Sequence, residues 1–108
     1  MDLGLLGKCA IVTGGSRGIG KAIARELAKE GVDLAIVARN KADLEATAQQ
    51  LAGETNRRIV PLAADVTSKE QVDRMVAEAA KQLGGVHILV NSGAAPGGSA
   101  TATGPSKP

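Results

Sequence analysis

From Lys8 onward, short continuous apolar runs alternate with stretches whose apolar residues recur every three or four positions. CAIVT (9–13), DLAIVA (33–38), RIVPLAA (58–64) and VHILVN (86–91) have the length and density of buried strands. Between them, Ile19, Ala22, Ile23, Leu27 and Ala28 fall on one helical face. Leu44, Ala48, Leu51 and Ala52 do the same, as do Val72, Met75, Val76, Ala79 and Leu83. The punctuation agrees with this division. Gly31 stops the first helix, Asn40 caps the second with Gly53 near its end, Thr67-Ser68-Lys69-Glu70 has capping-box form, and Gly84-Gly85 ends the third. Pro61 has no N–H to give a ladder and belongs on an edge strand. The predicted order is β-α-β-α-β-α-β. Strands that are apolar on both faces and joined by helical crossovers pair in parallel, with right-handed connections, so the fold class is α/β with a doubly wound parallel sheet.

After Asn91 the pattern stops. SGAAPGGSATATGPSKP offers small residues, glycine and proline, with no apolar face. The expected organisation is one folded unit over residues 1–95 and a disordered Gly/Pro/Ser-rich tail over 96–108, or a loop whose continuation is absent. With 108 residues the chain suits one small domain. It is 44% apolar yet contains no Phe, Tyr or Trp, so its core must be built from Ala, Val, Ile and Leu.

Charge and cysteine content narrow the function classes. A net charge of +2, scattered along the chain and without aromatics between the basic residues, argues against nucleic-acid binding. No apolar run approaches the ~18 residues of a membrane span, and no signal-peptide pattern opens the chain, so a cytoplasmic protein is expected. Cys9 cannot form an internal disulfide and reads as a buried strand residue. His87 alternates with apolar neighbours and reads as structural rather than catalytic. No metal-ligand set is predicted.

The chemistry lies in TGGSRGIGKA, residues 13–22, between the first strand and the first helix. Glycines here let the backbone approach a phosphate at the helix N-terminus, where unpaired N–H groups and the helix dipole favour an anion. Two spacings coexist. From Gly15 the loop reads Gly-x-x-x-x-Gly-Lys, a nucleoside-triphosphate loop, but Ala22 stands where a Ser or Thr would hold magnesium. From Gly14 it reads Gly-x-x-x-Gly-x-Gly, a dinucleotide loop in which Gly14, Gly18 and Gly20 serve the turn, the close approach and the helix–strand packing. Folds of the latter, Rossmann type that select NAD place Asp or Glu at the end of the second strand. This chain has Ala38 followed by Arg39, and a guanidinium there suits a 2′-phosphate, with Arg17 as a second positive charge. The expected cofactor is NADP(H).

Three segments carry a resemblance. Thr13-Gly14-Gly15-Ser16-Arg17-Gly18-Ile19-Gly20 resembles the Thr-Gly-x-x-x-Gly-x-Gly segment of the short-chain dehydrogenase/reductases. Ala64-Asp65-Val66-Thr67 resembles their Asp-Val segment beside the adenine. Asn91-Ser92-Gly93-Ala94 stands in the place of their Asn-Asn-Ala-Gly. In order and at family spacing these cover residues 5 to about 96, and the beta-ketoacyl carrier-protein reductases are similar. The resemblance implies that Gly14, Ser16, Arg17 and Ile19 line the pyrophosphate and ribose, and that Arg39 faces the 2′-phosphate. It further implies that Asp65 accepts from the adenine amino group with the Val66 backbone beside it, and that Asn91 and Gly93 flank the adenosine ribose. Asp65 as a loop residue near the helix cap and Asn91 as a satisfier of strand-end backbone remain open alternatives.

The chain departs from that pattern twice. The glycine of the fourth-strand segment is displaced by one residue, leaving Ala94 at the family's later position. The second departure is larger. Family catalysis rests on a serine, a Tyr-x-x-x-Lys pair and a further asparagine beyond the fourth strand, and this chain has no tyrosine. Ser99 and Ser106 fall in the tail and do not replace the serine. The expectation is therefore the NADP(H)-binding part of a short-chain oxidoreductase with no catalytic residues of its own, inactive alone; a homo-oligomer is compatible with the full-length parent, but the sequence does not set its oligomeric state. The alternatives are a non-catalytic dinucleotide-binding module or partner and, more remotely, a triphosphate binder.

Overall fold

The computed structural model describes residues 4–16, 18–92 and 99–102. Strands β1 (Cys9–Thr13), β2 (Asp33–Ala38), β3 (Ile59–Ala63) and β4 (Ile88–Asn91) alternate with helices α1 (Gly18–Lys29), α2 (Lys41–Thr55) and α3 (Lys69–Leu83). These four strands are parallel in the order β3-β2-β1-β4, so the chain steps outward from β1 and then returns to its other side. The doubly wound α/β sheet expected from the hydrophobic pattern is what forms.

Strand side chains alternate between two cores. Ala10 and Val12 of β1, with Leu34 and Ile36 of β2, pack against Ala24 and Ala28 of α1 and Leu44, Ala48 and Leu51 of α2. Ile11, Ala35 and Val37 face the other way, towards Met75 and Ala79 of α3. Alanines on all three helices let them lie close to the sheet, which is how a core without aromatic side chains is closed.

A fifth strand differs from expectation. Ser99–Ala102 (β5) pairs antiparallel with β4, from Asn91↔Ser99 to Ile88↔Ala102. Its sequence has no apolar face to signal a strand. The exposed backbone edge of β4 supplies the pairing, because an edge ladder accepts any extended segment. The remainder of the expected tail, 96–98 and 103–108, lies outside the described residues.

Of the helix ends, the α3 cap departs from expectation. The α2 cap is Asn40 as predicted, accepting from Asp43 N–H at 3.0 Å, and the helix runs through exposed Gly53, near its end as expected, to Thr55. It ends on Asn56 in the left-handed region (φ 56°), whose N–H donates to Ala52 carbonyl. One glycine costs a helix only about 1 kcal/mol, too little to end it. The cap of α3 is Ser68, which accepts from Gln71 N–H, and not Thr67, whose hydroxyl is engaged by Asp65. Pro61 does lie on the edge strand β3.

His87 has the structural role expected of it. Its ring Nδ1 accepts from Cys9 N–H at 3.0 Å while the His87 backbone N–H donates to Cys9 carbonyl at 2.8 Å, closing the first rung between β1 and the segment entering β4. Cys9 is buried, its thiol donates to Leu83 carbonyl at 3.2 Å, and burial pushes that thiol's pKa up. A raised pKa disfavours the thiolate that a nucleophile requires.

Candidate functional site

Parallel strands bring their carboxyl ends to one edge of the sheet, and the sequence-predicted residues collect there. The glycine loop follows β1, Arg39 follows β2, Asp65 and Val66 follow β3, and Asn91 ends β4. The crevice between β1 and β4, where the winding reverses, is the usual ligand position in such a sheet.

The loop turns at Gly14, whose φ of 72° lies in the left-handed region. Its N–H donates to Val37 carbonyl at 2.7 Å, and Gly15 N–H reaches the same oxygen at 3.4 Å. These two amides are therefore committed to β2 and are not anion donors; Gly14 shapes the loop. Among the described residues, the amides of Gly18, Ile19 and Gly20, the first turn of α1, have no intrahelical acceptor and remain for an anion. Gly20 is buried, and a Cβ built on it would overlap Gly14 carbonyl oxygen and the Ser92 hydroxyl. Ile19 is exposed beside that turn. Arg17 lies outside the described residues.

Arg39 and Asp65 become neighbours through the β2–β3 pairing, in which Ala38 faces Ala63 and Ala64 N–H donates to Ala38 carbonyl at 3.0 Å. Asp65 Oδ1 accepts from Thr67 hydroxyl at 2.6 Å and Thr67 N–H at 2.9 Å. Its own N–H donates to Gln71 Oε1 at 2.8 Å. Oδ2 takes no hydrogen bond among the described residues. The Thr67 hydroxyl, then the Thr67 N–H and the Arg39 charge, hold the Asp65 carboxyl below the usual carboxylate range. With the folded pKa below the unfolded value of about 3.9, what this turn contributes is fully present above that value and is lost as pH falls through the folded pKa. Thr67→Val should move the Asp65 midpoint upward in a carboxyl NMR titration. A stationary midpoint would overturn the assignment to Thr67.

Asn91 and Thr13 close the β1–β4 end. The Thr13 hydroxyl donates to Asn91 Oδ1 at 3.0 Å, with Val90 carbonyl at 3.3 Å as its alternative acceptor. Ser92 laces the same place from the other strand, its hydroxyl donating to Thr13 carbonyl at 2.6 Å. Next to them is a cleft of about 460 Å³ with Thr13, Thr67 and Asn91 as polar lining and Val66, Met75, Val76 and Leu89 among its apolar walls. Val66 enters this cleft and Asp65 does not. Gly93 lies outside the described residues.

A family model described as short chain dehydrogenase matches residues 8–106. The chain belongs to that family. This short-chain dehydrogenase chain is 43% identical, over 82% of its length, to an uncharacterised oxidoreductase of Staphylococcus aureus, covering 37% of that protein. Among solved structures it is similar to the L-sorbose reductase of Gluconobacter frateurii, complexed with NADPH and L-sorbose. There the TM-score is 0.79 and the identity 42%, over 82% of this chain and 34% of the reductase. An alcohol dehydrogenase of Thermococcus sibiricus, complexed with 5-hydroxy-NADP, gives a TM-score of 0.73 and 38% identity over 76% of this chain and 35% of that one. The chain thus spans about a third of the length of these relatives.

Three residues at this edge carried no role in the sequence reading: Thr13, Ser92 and Thr47, whose hydroxyl donates to Ser16 carbonyl at 3.1 Å. Thr13 and Ser92 lay inside quoted segments, but nothing in their spacing says that their groups bond to each other. Thr47 sits on an apolar helix face, where only its hydroxyl set it apart. Among the described residues no helix is long and apolar enough to cross a membrane.

Proposed function

We propose that this chain is the NADP(H)-binding part of a short-chain oxidoreductase. The nicotinamide cofactor, when bound, supplies hydride exchange with a carbonyl or alcohol carbon. The observation that carries the reading is the meeting of three features at one sheet edge: the N-terminus of α1, the Arg39 cation and the Asp65 carboxylate. The Gly20 position supports the fit, because a side chain there would fill the approach between α1 and the β1 turn.

In this reading Gly18, Ile19 and Gly20 hold the pyrophosphate through backbone amides, Gly14 makes the turn, and Ser16 borders the ribose. Arg39, with Arg17, receives the 2′-phosphate. Asp65 is already ionised at neutral pH, and its Oδ2 is the acceptor for the adenine amino group, with Val66 beside the ring. Asn91 and Gly93 border the adenosine ribose. The chain has no tyrosine to serve as proton donor, and general acid catalysis is typically worth about 10²–10⁴-fold, so no turnover is expected from the chain alone. The triphosphate reading loses its lysine as well as its hydroxyl: Lys21 Nζ donates to Gln50 Oε1 at 2.8 Å, on the surface between α1 and α2.

Fluorescence titration of the 108-residue chain with NADPH and NADH tests the proposal. Saturable binding with NADPH clearly preferred is the expected outcome. Magnesium-dependent ATP binding without NADPH binding would sink it.

A further inference from the structure

We propose that Thr47 is a positioning residue for the glycine loop, holding the Ser16 carbonyl from helix α2. The proposal rests on the dinucleotide reading above and adds to it the residue that fixes the loop's outer wall. Thr47 is only 5% exposed and lies among Leu44, Ala48 and Leu51 on the apolar face of α2. A threonine in a helix commonly turns its hydroxyl back to the carbonyl four residues earlier. Thr55 of the same helix does so, donating to Leu51 carbonyl at 2.7 Å. Thr47 instead donates across to Ser16 carbonyl at 3.1 Å, a residue 31 positions away. Space filling alone would be met as well by valine.

The bond matters because of where it ends. It fixes the Ser16 carbonyl, on the outer side of the loop, to α2. The preceding amides, Gly14 and Gly15, are pinned to Val37 carbonyl on β2. The loop is thus held through its N–H groups by β2 and through a carbonyl by α2. A loop held in its binding shape loses less conformational freedom when the cofactor arrives. Helix α2 begins just after Arg39, at the Asn40 cap, so one rigid element supports both the loop and the guanidinium.

The test compares Thr47→Val, which removes the hydroxyl at nearly constant shape, with Thr47→Ser, which keeps it. Thr47→Ala serves as a second hydroxyl-free variant should the valine disturb folding. NADPH affinity of the full chain should fall about five- to tenfold in the valine and alanine variants, the worth of one net hydrogen bond. It should return to within about twofold of the parent in Thr47→Ser. Unchanged affinity without the hydroxyl, or a loss that serine does not rescue, overturns the proposal, since a purely space-filling role would follow side-chain volume. If the parent chain does not bind NADPH, the cofactor reading falls, and amide NMR decides the loop proposal independently. Shifts at Gly14, Gly15 and Gly18 in Thr47→Val that revert in Thr47→Ser sustain it; unmoved amides overturn it.

Discussion

Gly20→Ala should destabilise the chain and impair NADPH binding, although alanine is the better helix former. The exchange gains about 1 kcal/mol of helix propensity at most. Against that, the added methyl would overlap Gly14 carbonyl oxygen and the Ser92 hydroxyl. Neither neighbour yields easily. Gly14 is tied to Val37 at 2.7 Å, and Ser92 is tied to Thr13 carbonyl at 2.6 Å. Overpacking of this kind costs roughly 1–3 kcal/mol, so the steric term wins. A loss of about 1–2 kcal/mol would lower the melting temperature of a domain this size by roughly 5–15 °C. Relief by moving α1 outward would displace the Gly18, Ile19 and Gly20 amides, and each ~1.4 kcal/mol of interaction forfeited lowers NADPH affinity about tenfold. Gly53→Ala is the control: it meets no atom within 4 Å and should be neutral or slightly stabilising. A melting temperature unchanged in Gly20→Ala would overturn the close approach of α1 to the Gly14 turn as the reason for glycine there.

Arg39→Ala should separate the two cofactors. Charge-assisted hydrogen bonds contribute about 1.5–3 kcal/mol, so NADPH affinity should fall roughly 10- to 150-fold. NADH has no 2′-phosphate to lose and should bind the variant within about twofold of the parent. The side chain is exposed, and surface changes of this kind usually move stability by under about 0.5 kcal/mol, so melting serves as the folding control. Parallel titrations read the outcome, and equal losses for both cofactors would count against a 2′-phosphate site at Arg39. Salt adds a further check: an exposed ion contact is screened, so the gap between the cofactors should narrow as ionic strength rises.

Much of the molecule was legible before any coordinates. Apolar runs such as DLAIVA and helical repeats such as Val72, Met75, Val76 and Ala79 report their elements because strand and helix periods are local properties. The Asn40 cap was legible for the same reason, its bond spanning three residues. Where two hydroxyls competed for one helix start, local reasoning chose Thr67 and the structure chose Ser68. Asp65, an acceptor two residues upstream, had already taken the Thr67 hydroxyl.

The sequence by itself determined the order of the four parallel strands and three helices, the two buried faces of the sheet and the glycine turn. Those follow from short-range periodicity and from parallel strands bringing their carboxyl ends to one edge. Only the tertiary structure decided which amides of the loop remain for an anion, since Val37 carbonyl claims Gly14 and Gly15. It alone joined Thr47 to Ser16 across 31 positions, Ser92 to Thr13 across 79, and β5 to the edge of β4. The physical reason is common to all of these. A hydrogen-bonding group takes whichever partner the fold brings within about 3 Å, and sequence spacing carries no trace of that partner once the two lie on different elements.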